Sequence, residues 1–407
     1  MSSKLNNDSQ SSARQYAHLP DELLVKILEH VPVTVEKMNG MFDIQDKPIQ
    51  AAMKELRDNE RTSILKSQSF SASMIAIDGS VIIERMTGTD LLLAVAVGVE
   101  GLTEDPDTGW EEGKNQYYQW QTVLSHNEAN ARLAQGVMFL MELSVLASSS
   151  HEIRIMDGTH FTPILKINSM LSANEEGTSD KEYADALREF LRDTYSKIIP
   201  DIPDIIQAAF NDEKIIAIVK YTSSRDVLDA FLVHHGIKVD DRTFFSLALA
   251  EDEYLNPLPV GQSIQERQRI WDDLHIRCNL NIPEKDELNK ALRHAINPLR
   301  TKDVTTSQEK SSEVYFTYYR PYNDGPAYRI ELKKTLAINK DKLERYLLSL
   351  KRQIVFPEIR EPFPQYLVDL MAKSISGGMF AIQEAIKLSE NLKIDKGKLN
   401  LLFNYRT

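Results

Sequence analysis

Two short apolar runs end in the same way, and that repetition constrains the chain more than any other feature. Ser73-Met74-Ile75-Ala76-Ile77-Asp78-Gly79-Ser80 stays apolar up to a carboxylate, then gives a glycine and a hydroxyl. Ile153-Arg154-Ile155-Met156-Asp157-Gly158-Thr159 repeats the device. Each reads as a short buried strand whose last residue is an aspartate. Two such strands, delivering their aspartates to one edge of a sheet, can hold a divalent metal. Asp-Gly is also a common turn pair, so either copy alone reads as a plain turn.

The stretch between the copies adds a third acid. Asn127 to Ala147 has the spacing of a long amphipathic helix, with Leu133, Val137, Leu140 and Met141 on its apolar side and Glu142 late in it. Strand, helix and strand thus carry Asp78, Glu142 and Asp157. Phosphodiester hydrolysis needs an activated water and compensation of the charge that builds on the phosphate, and paired divalent ions supply both. Mg²⁺ and Mn²⁺ take hard oxygen ligands, so the protein's share is carboxylates. Acids gathered at one sheet edge repel one another unless metal binds, which makes such a cluster a functional signal.

Charge and cysteine usage narrow the class. The net charge of −12 argues against a free-standing protein that coats nucleic acid. The segment 329–407 is nevertheless net basic beside an acidic remainder. That suits a phosphate-facing surface or a solvated helical face. The single cysteine, Cys278, excludes an internal disulfide and a cysteine-rich zinc site. The apolar run Leu91–Val99 is half of the ~18 residues a membrane span needs. The polar start, Met1 to Arg14, lacks the apolar core of a signal peptide. A cytoplasmic protein with no membrane partner is expected.

Three regions are expected: a disordered tail over 1–16, an N-terminal helical segment over 17–70, and a main domain over 71–407 with a possible insertion at 263–313. In the helical segment, Pro20–Val31 carries an apolar face of Leu23, Leu24, Ile27 and Leu28, and Lys47–Ser67 forms a second helix with Ile64 in its core. Ser73–Asp78, Val81–Met86 and Leu91–Val99 read as a three-stranded meander. Residues 101–122, with Trp110, Tyr117, Tyr118 and Trp120, read as a loop whose aromatics stack on bases or pack down on the body. Lys214–Lys220 is a buried strand, and helices follow at Ser224–His234 and, after Asp240-Asp241-Arg242, through Ala250. Ile264–Asn279 and Lys285–Ala295 are further helices, and 298–313 is a flexible linker. Val314–Tyr319 and Ala327–Leu332 form a hairpin. Asp341–Val355 and Pro364–Asn391 close the chain as helices, the second bent at Gly377-Gly378. His151 and His160 read as surface residues. His234 and His235, being adjacent, cannot share a helix face as an i, i+4 pair would.

In order, these motifs resemble the NurA nuclease family over residues 50–407. The resemblance lies in Ile77-Asp78-Gly79-Ser80, Met141-Glu142, Met156-Asp157-Gly158-Thr159 and the strand ending Val219-Lys220. It continues in Asp241-Arg242 with Phe245, Glu253-Tyr254 with Pro257, Tyr328-Arg329-Ile330-Glu331, and Pro362-Phe363-Pro364 with Asp369. The resemblance implies an α/β fold with an RNase H-like core, a mixed sheet and flanking helices. It implies a Mn²⁺- or Mg²⁺-dependent 5′→3′ exonuclease, often with single-strand endonuclease activity. It also implies a homodimer that acts on DNA with a HerA-type hexameric ATPase, in DNA end processing or anti-phage defence. Asp78, Glu142 and Asp157 would be catalytic metal ligands. Lys220 would be catalytic and meet phosphate, and Lys220, Arg242 and Arg329 would contact DNA. The chain departs from the family at two places: Asp369 stands where archaeal members tend to have His, and Glu361 where they have Tyr. Asp369 is thus either a fourth carboxylate ligand or a helix residue without a catalytic part. Glu361 leaves room for a second reading, a weakly active subunit that clamps DNA for the ATPase.

Overall fold

Rows of alternating apolar residues assemble into one mixed sheet of ten strands. In chain order these are β1 (Thr62–Ile64), β2 (Met74–Arg85), β3 (Thr89–Glu100), β4 (Tyr117–Ser125), β5 (Ile153–Asp157), β6 (Ile215–Val219), β7 (Glu253–Leu255), β8 (Leu258–Pro259), β9 (Val314–Arg320) and β10 (Tyr328–Lys333). They lie side by side as β1-β7-β9-β10-β6-β5-β2-β3-β4, with β8 beside β9. β2, β3 and β4 form an antiparallel meander, whereas β2, β5 and β6 run parallel. The computed structural model describes residues 21–41, 46–66, 72–102, 116–172, 181–192, 206, 211–220, 222–260, 276, 285–297, 313–355, 359–389, 392–394 and 398.

The helices are α1 (Asp21–Glu29), α2 (Val31–Met41), α3 (Asp46–Asp58), α4 (Asn130–Ser148), α5 (Thr162–Leu171), α6 (Lys181–Arg192), α7 (Asp226–Phe231), α8 (Asp241–Ala248), α9 (Lys285–Ile296), α10 (Lys334–Ala337), α11 (Lys340–Gln353) and α12 (Phe363–Leu388). The mixed α/β class with flanking helices is therefore as expected. The chain divides into two units, residues 1–47 and 48–407. In the first, Leu23, Leu24, Ile27 and Leu28 of α1 are exposed. The expected tail 1–16, the helix Ile264–Asn279 (apart from Ile276) and the linker 298–312 lie outside the described residues.

Strand periodicity carries the functional residues to one face. Met74 and Ala76 of β2, Ile153 and Ile155 of β5, and Ile216 and Ile218 of β6 share one buried cluster with Leu343, Leu347 and Leu350 of α11 and Val368 of α12. Burying each large aliphatic side chain there contributes about 1.5–3 kcal/mol. Side chains alternate along a strand, so the next residue of each row, Asp78, Asp157 and Lys220, belongs to that same face. Gly79 belongs to the other face, where α4 packs. A Cβ there would lie 2.5 Å from Met138 Cγ, 2.6 Å from Glu142 Oε1 and 2.9 Å from the Val95 carbonyl oxygen. α4 is apolar and long enough to cross a membrane by composition, yet its residues, Leu133 to Leu146, are mostly buried in the core.

Several expectations need correction. β2 does not stop at Asp78 but pairs with β3 without a break from Ile75–Glu100 to Arg85–Asp90. Gly79 and Ser80 are thus strand residues, not a turn. Tyr117–Ser125, read as loop as far as residue 122, is the edge strand β4, with Tyr118, Trp120 and Leu124 inward and Gln119, Gln121 and Val123 outward. α3 ends at Asp58, and Ile64 is an exposed residue of β1 rather than helical core. α12 runs through Gly377-Gly378 as one helix. His151 and His160 are buried, at 3% and 1% exposure, not on the surface.

Candidate metal centre

Parallel pairing of β2 with β5 fixes the centre. Ile77 lies opposite Met156, so the next residues, Asp78 and Asp157, stand at one level on neighbouring strands. Asp369 arrives from α12. One carboxylate oxygen from each of Asp78, Asp157 and Asp369 lies within 4.8 Å of the others. Glu142 is buried at 4% exposure and lines the same cavity of about 520 Å³, with Lys220, Glu361 and Lys373. The missing side chain at Gly79 is what leaves room for the Glu142 carboxyl against β2. Gly158, with φ of +91°, turns the chain away immediately after Asp157 in a conformation that glycine alone adopts without strain.

Hydrogen bonds hold these acids in place. The Gly79 amide donates to Asp78 Oδ1 at 2.8 Å. Gln365 Nε2 donates to Asp157 Oδ1 at 2.9 Å, while Lys220 Nζ lies 3.3 Å from Asp157 Oδ2. Lys220 Nζ also lies 2.9 Å from Glu361 Oε2. Lys373 pairs with Asp369 at 2.8 Å.

The electrostatics are those of crowded acids. Burial, then the charge of Asp157, pushes the Asp78 carboxyl up to about 7. Burial and the charges of Asp78 and Asp157 raise Glu142 well above the ordinary carboxylate range. Burial alone would lower the Lys220 ammonium, but Asp157 and Glu361 outweigh it and hold Lys220 above its usual value. Lys220 thus sits as a cation between two carboxylates, Asp157 and Glu361.

A NurA domain model matches residues 72–367, most of the chain. The chain belongs to the NurA nuclease family. Its fold is similar to the crystal structure of the NurA nuclease from Sulfolobus solfataricus, with a TM-score of 0.51 and 13% identity, covering 92% of this chain and all of that one. A structure of NurA with manganese matches with a TM-score of 0.46 and 11% identity, over 88% of this chain and 98% of the other. At such identities the likeness is one of fold. No curated protein sequence matches.

In this NurA family member the expected DNA contacts separate. Lys220 lines the carboxylate cavity. Arg242 donates to the Lys220 carbonyl oxygen and lines a smaller adjoining cavity. Arg329 is 5% exposed, with Asp226 at 3.0 Å and Glu331 at 3.4 Å, and it stacks over the Phe316 ring at 4.2 Å. That placement takes Arg329 off any surface DNA can reach and makes it a buried counter-ion. Asp241 is likewise internal: it accepts from the amides of Val227 and Leu228 and so caps α7.

Gln365 and Lys373 are site residues to which no motif points, and Glu361, noted in the sequence as a departure from the family, joins them. With Asp369 they recur every fourth residue, so within α12 the positions 365, 369 and 373 share one helix face. That spacing is the signal that could have found them.

Proposed function

We propose that this protein is a divalent-metal-dependent deoxyribonuclease, with Asp78, Asp157 and Asp369 as metal ligands and Glu142 beside them. The observation that carries the reading is the meeting of three carboxylates from β2, β5 and α12 within 4.8 Å. The donor set fits Mg²⁺ or Mn²⁺, because every donor is a hard oxygen and the mutual repulsion that raises Asp78 is relieved by a dication. Held by these carboxylates, such an ion would supply polarisation of the phosphate and a lowered pKa for the attacking water, so that hydroxide is available near neutral pH. The chain's own residues orient the reactants. Gln365 and Lys220 each hold one oxygen of Asp157, fixing the plane of that carboxylate. Lys220, kept protonated, stands where charge grows on a phosphate drawn to the carboxylates.

A 5′→3′ exonuclease, with endonuclease action on single strands, is the form of activity we propose. The setting is a cytoplasmic homodimer that works with a HerA-type hexameric ATPase in end processing or anti-phage defence. A partner that threads DNA explains how an acidic protein engages a polyanion. The Lys220–Glu361 pair supports a second reading, a weakly active clamp, since the cation there is already compensated.

Digestion of linear DNA with Mn²⁺, by wild type, Asp78→Asn and Asp157→Asn, separates the two. Nuclease function predicts digestion by wild type alone. No digestion by wild type, even with a cognate ATPase, leaves the clamp.

A further inference from the structure

We infer that the smaller cavity beside the carboxylates is a subsite for a second backbone phosphate of the bound DNA strand, gripped by Arg242 and Arg360. The inference rests on the nuclease reading above. The cavity, about 210 Å³, shares Lys220 and Glu361 with the carboxylate cavity, so the Lys220–Glu361 ion pair is the partition between two chambers of one groove. A strand with one phosphate at the carboxylates passes its neighbouring phosphate across that partition.

The walls suit an anion. Glu361 is their one acid among the described residues, and Lys220 neutralises it at 2.9 Å. Arg242 and Arg360 are left over. Arg242 is fixed in place: its Nη1 donates to the Lys220 carbonyl oxygen and its Nε to that of Ala327 at 3.4 Å, so Nη2 remains for a ligand. Arg360 is exposed and makes no ion pair with any described residue. Two guanidinium groups converging on a small cavity match the oxygens of a phosphodiester in a way a single ammonium does not. Tyr328 adds a phenol that burial keeps protonated. Gln365 Oε1 is buried in the wall with no hydrogen-bond partner among the described residues, an acceptor open to a sugar or base donor.

The test uses the full chain in two arms. Binding of a labelled single-stranded oligonucleotide is followed over a salt series in chelator, and Mn²⁺-dependent digestion is followed at steady state. Arg360→Gln and Arg242→Gln should each flatten the slope of log Kd against log salt by about 0.7, one phosphate contact on a single strand. Each should raise KM about tenfold with kcat within about twofold, while Lys54→Gln on α3 changes neither. Arg360 is exposed, so its variant folds and decides the matter even if Arg242→Gln does not. An unchanged slope and KM in Arg360→Gln overturns the subsite. A wild type that binds DNA but never digests it overturns the nuclease reading instead, and the binding arm still decides the subsite. Inorganic phosphate that displaces the oligonucleotide equally from wild type and Arg360→Gln also overturns it.

Discussion

Asp78 and Asp157 stand side by side on adjacent parallel strands, one residue beyond the pairing of Ile77 with Met156. The two carboxylates therefore meet through backbone register, not through flexible reach. Asp369, from the far end of the chain, closes the triangle.

Replacing either strand aspartate should separate activity from stability. Asp78→Asn or Asp157→Asn should lower the digestion rate by about 10²–10³-fold, the loss expected when one charge-organising group leaves a reaction site. Without metal Asp78→Asn should also be more stable than wild type, because it removes a carboxylate whose charge is disfavoured by burial and by Asp157. Steady-state digestion and urea unfolding in chelator measure the two effects.

A pH dependence follows with a definite sign. The Asp78 carboxyl titrates near 3.8 when unconstrained and is pushed up to about 7 in the metal-free fold by burial and Asp157. Between those values the folded state binds the extra proton, so its contribution to stability is fully present below about 3.8 and is lost as pH rises toward 7. In chelator, the stability advantage of Asp78→Asn over wild type should grow from pH 4.5 to 7 and then level off. Saturating Mn²⁺ should abolish that trend.

Gly79→Ala tests the contact between β2 and α4. The new Cβ would meet Met138, Glu142 and the Val95 carbonyl oxygen below 3.0 Å, and the last is backbone that cannot swing aside. Overpacking of this kind costs about 1–3 kcal/mol. Chemical denaturation should show that loss, and digestion should fall further as Glu142 is displaced.

Arg329→Met should unfold the protein more readily without touching the site. It removes the cation that pairs with half-buried Asp226 and leaves buried Glu331 with His160 alone beside it, a loss of about 3–5 kcal/mol. Lys220→Gln should do the opposite, lowering kcat with little change in the denaturation midpoint.

The two Asp-terminated runs were legible because apolar residues lead into each aspartate, broken in the second copy by Arg154 alone. The tight approach at Gly79 was not legible: Asp-Gly reads as a turn pair, whereas the fold keeps the glycine in β2, where α4 comes too close for a side chain. β4 was not legible, since its outward row of glutamines and its aromatics read equally well as loop. Arg329 misled because charge in a sequence suggests solvent. In the fold β10 is an inner strand, paired on both sides by β6 and β9. The spacing of Gln365 and Asp369 shows that they share one helix face, but not that the face meets β5 and β2, since those contacts lie more than 200 residues apart in the chain.

Anomalous diffraction from a crystal grown with Mn²⁺ tests the shared metal site most directly. A shared site gives a manganese peak bounded by carboxylate oxygens of Asp78, Asp157 and Asp369, at the oxygen distances normal for the ion. A peak bound elsewhere, or none at these three residues at saturating Mn²⁺, would contradict it.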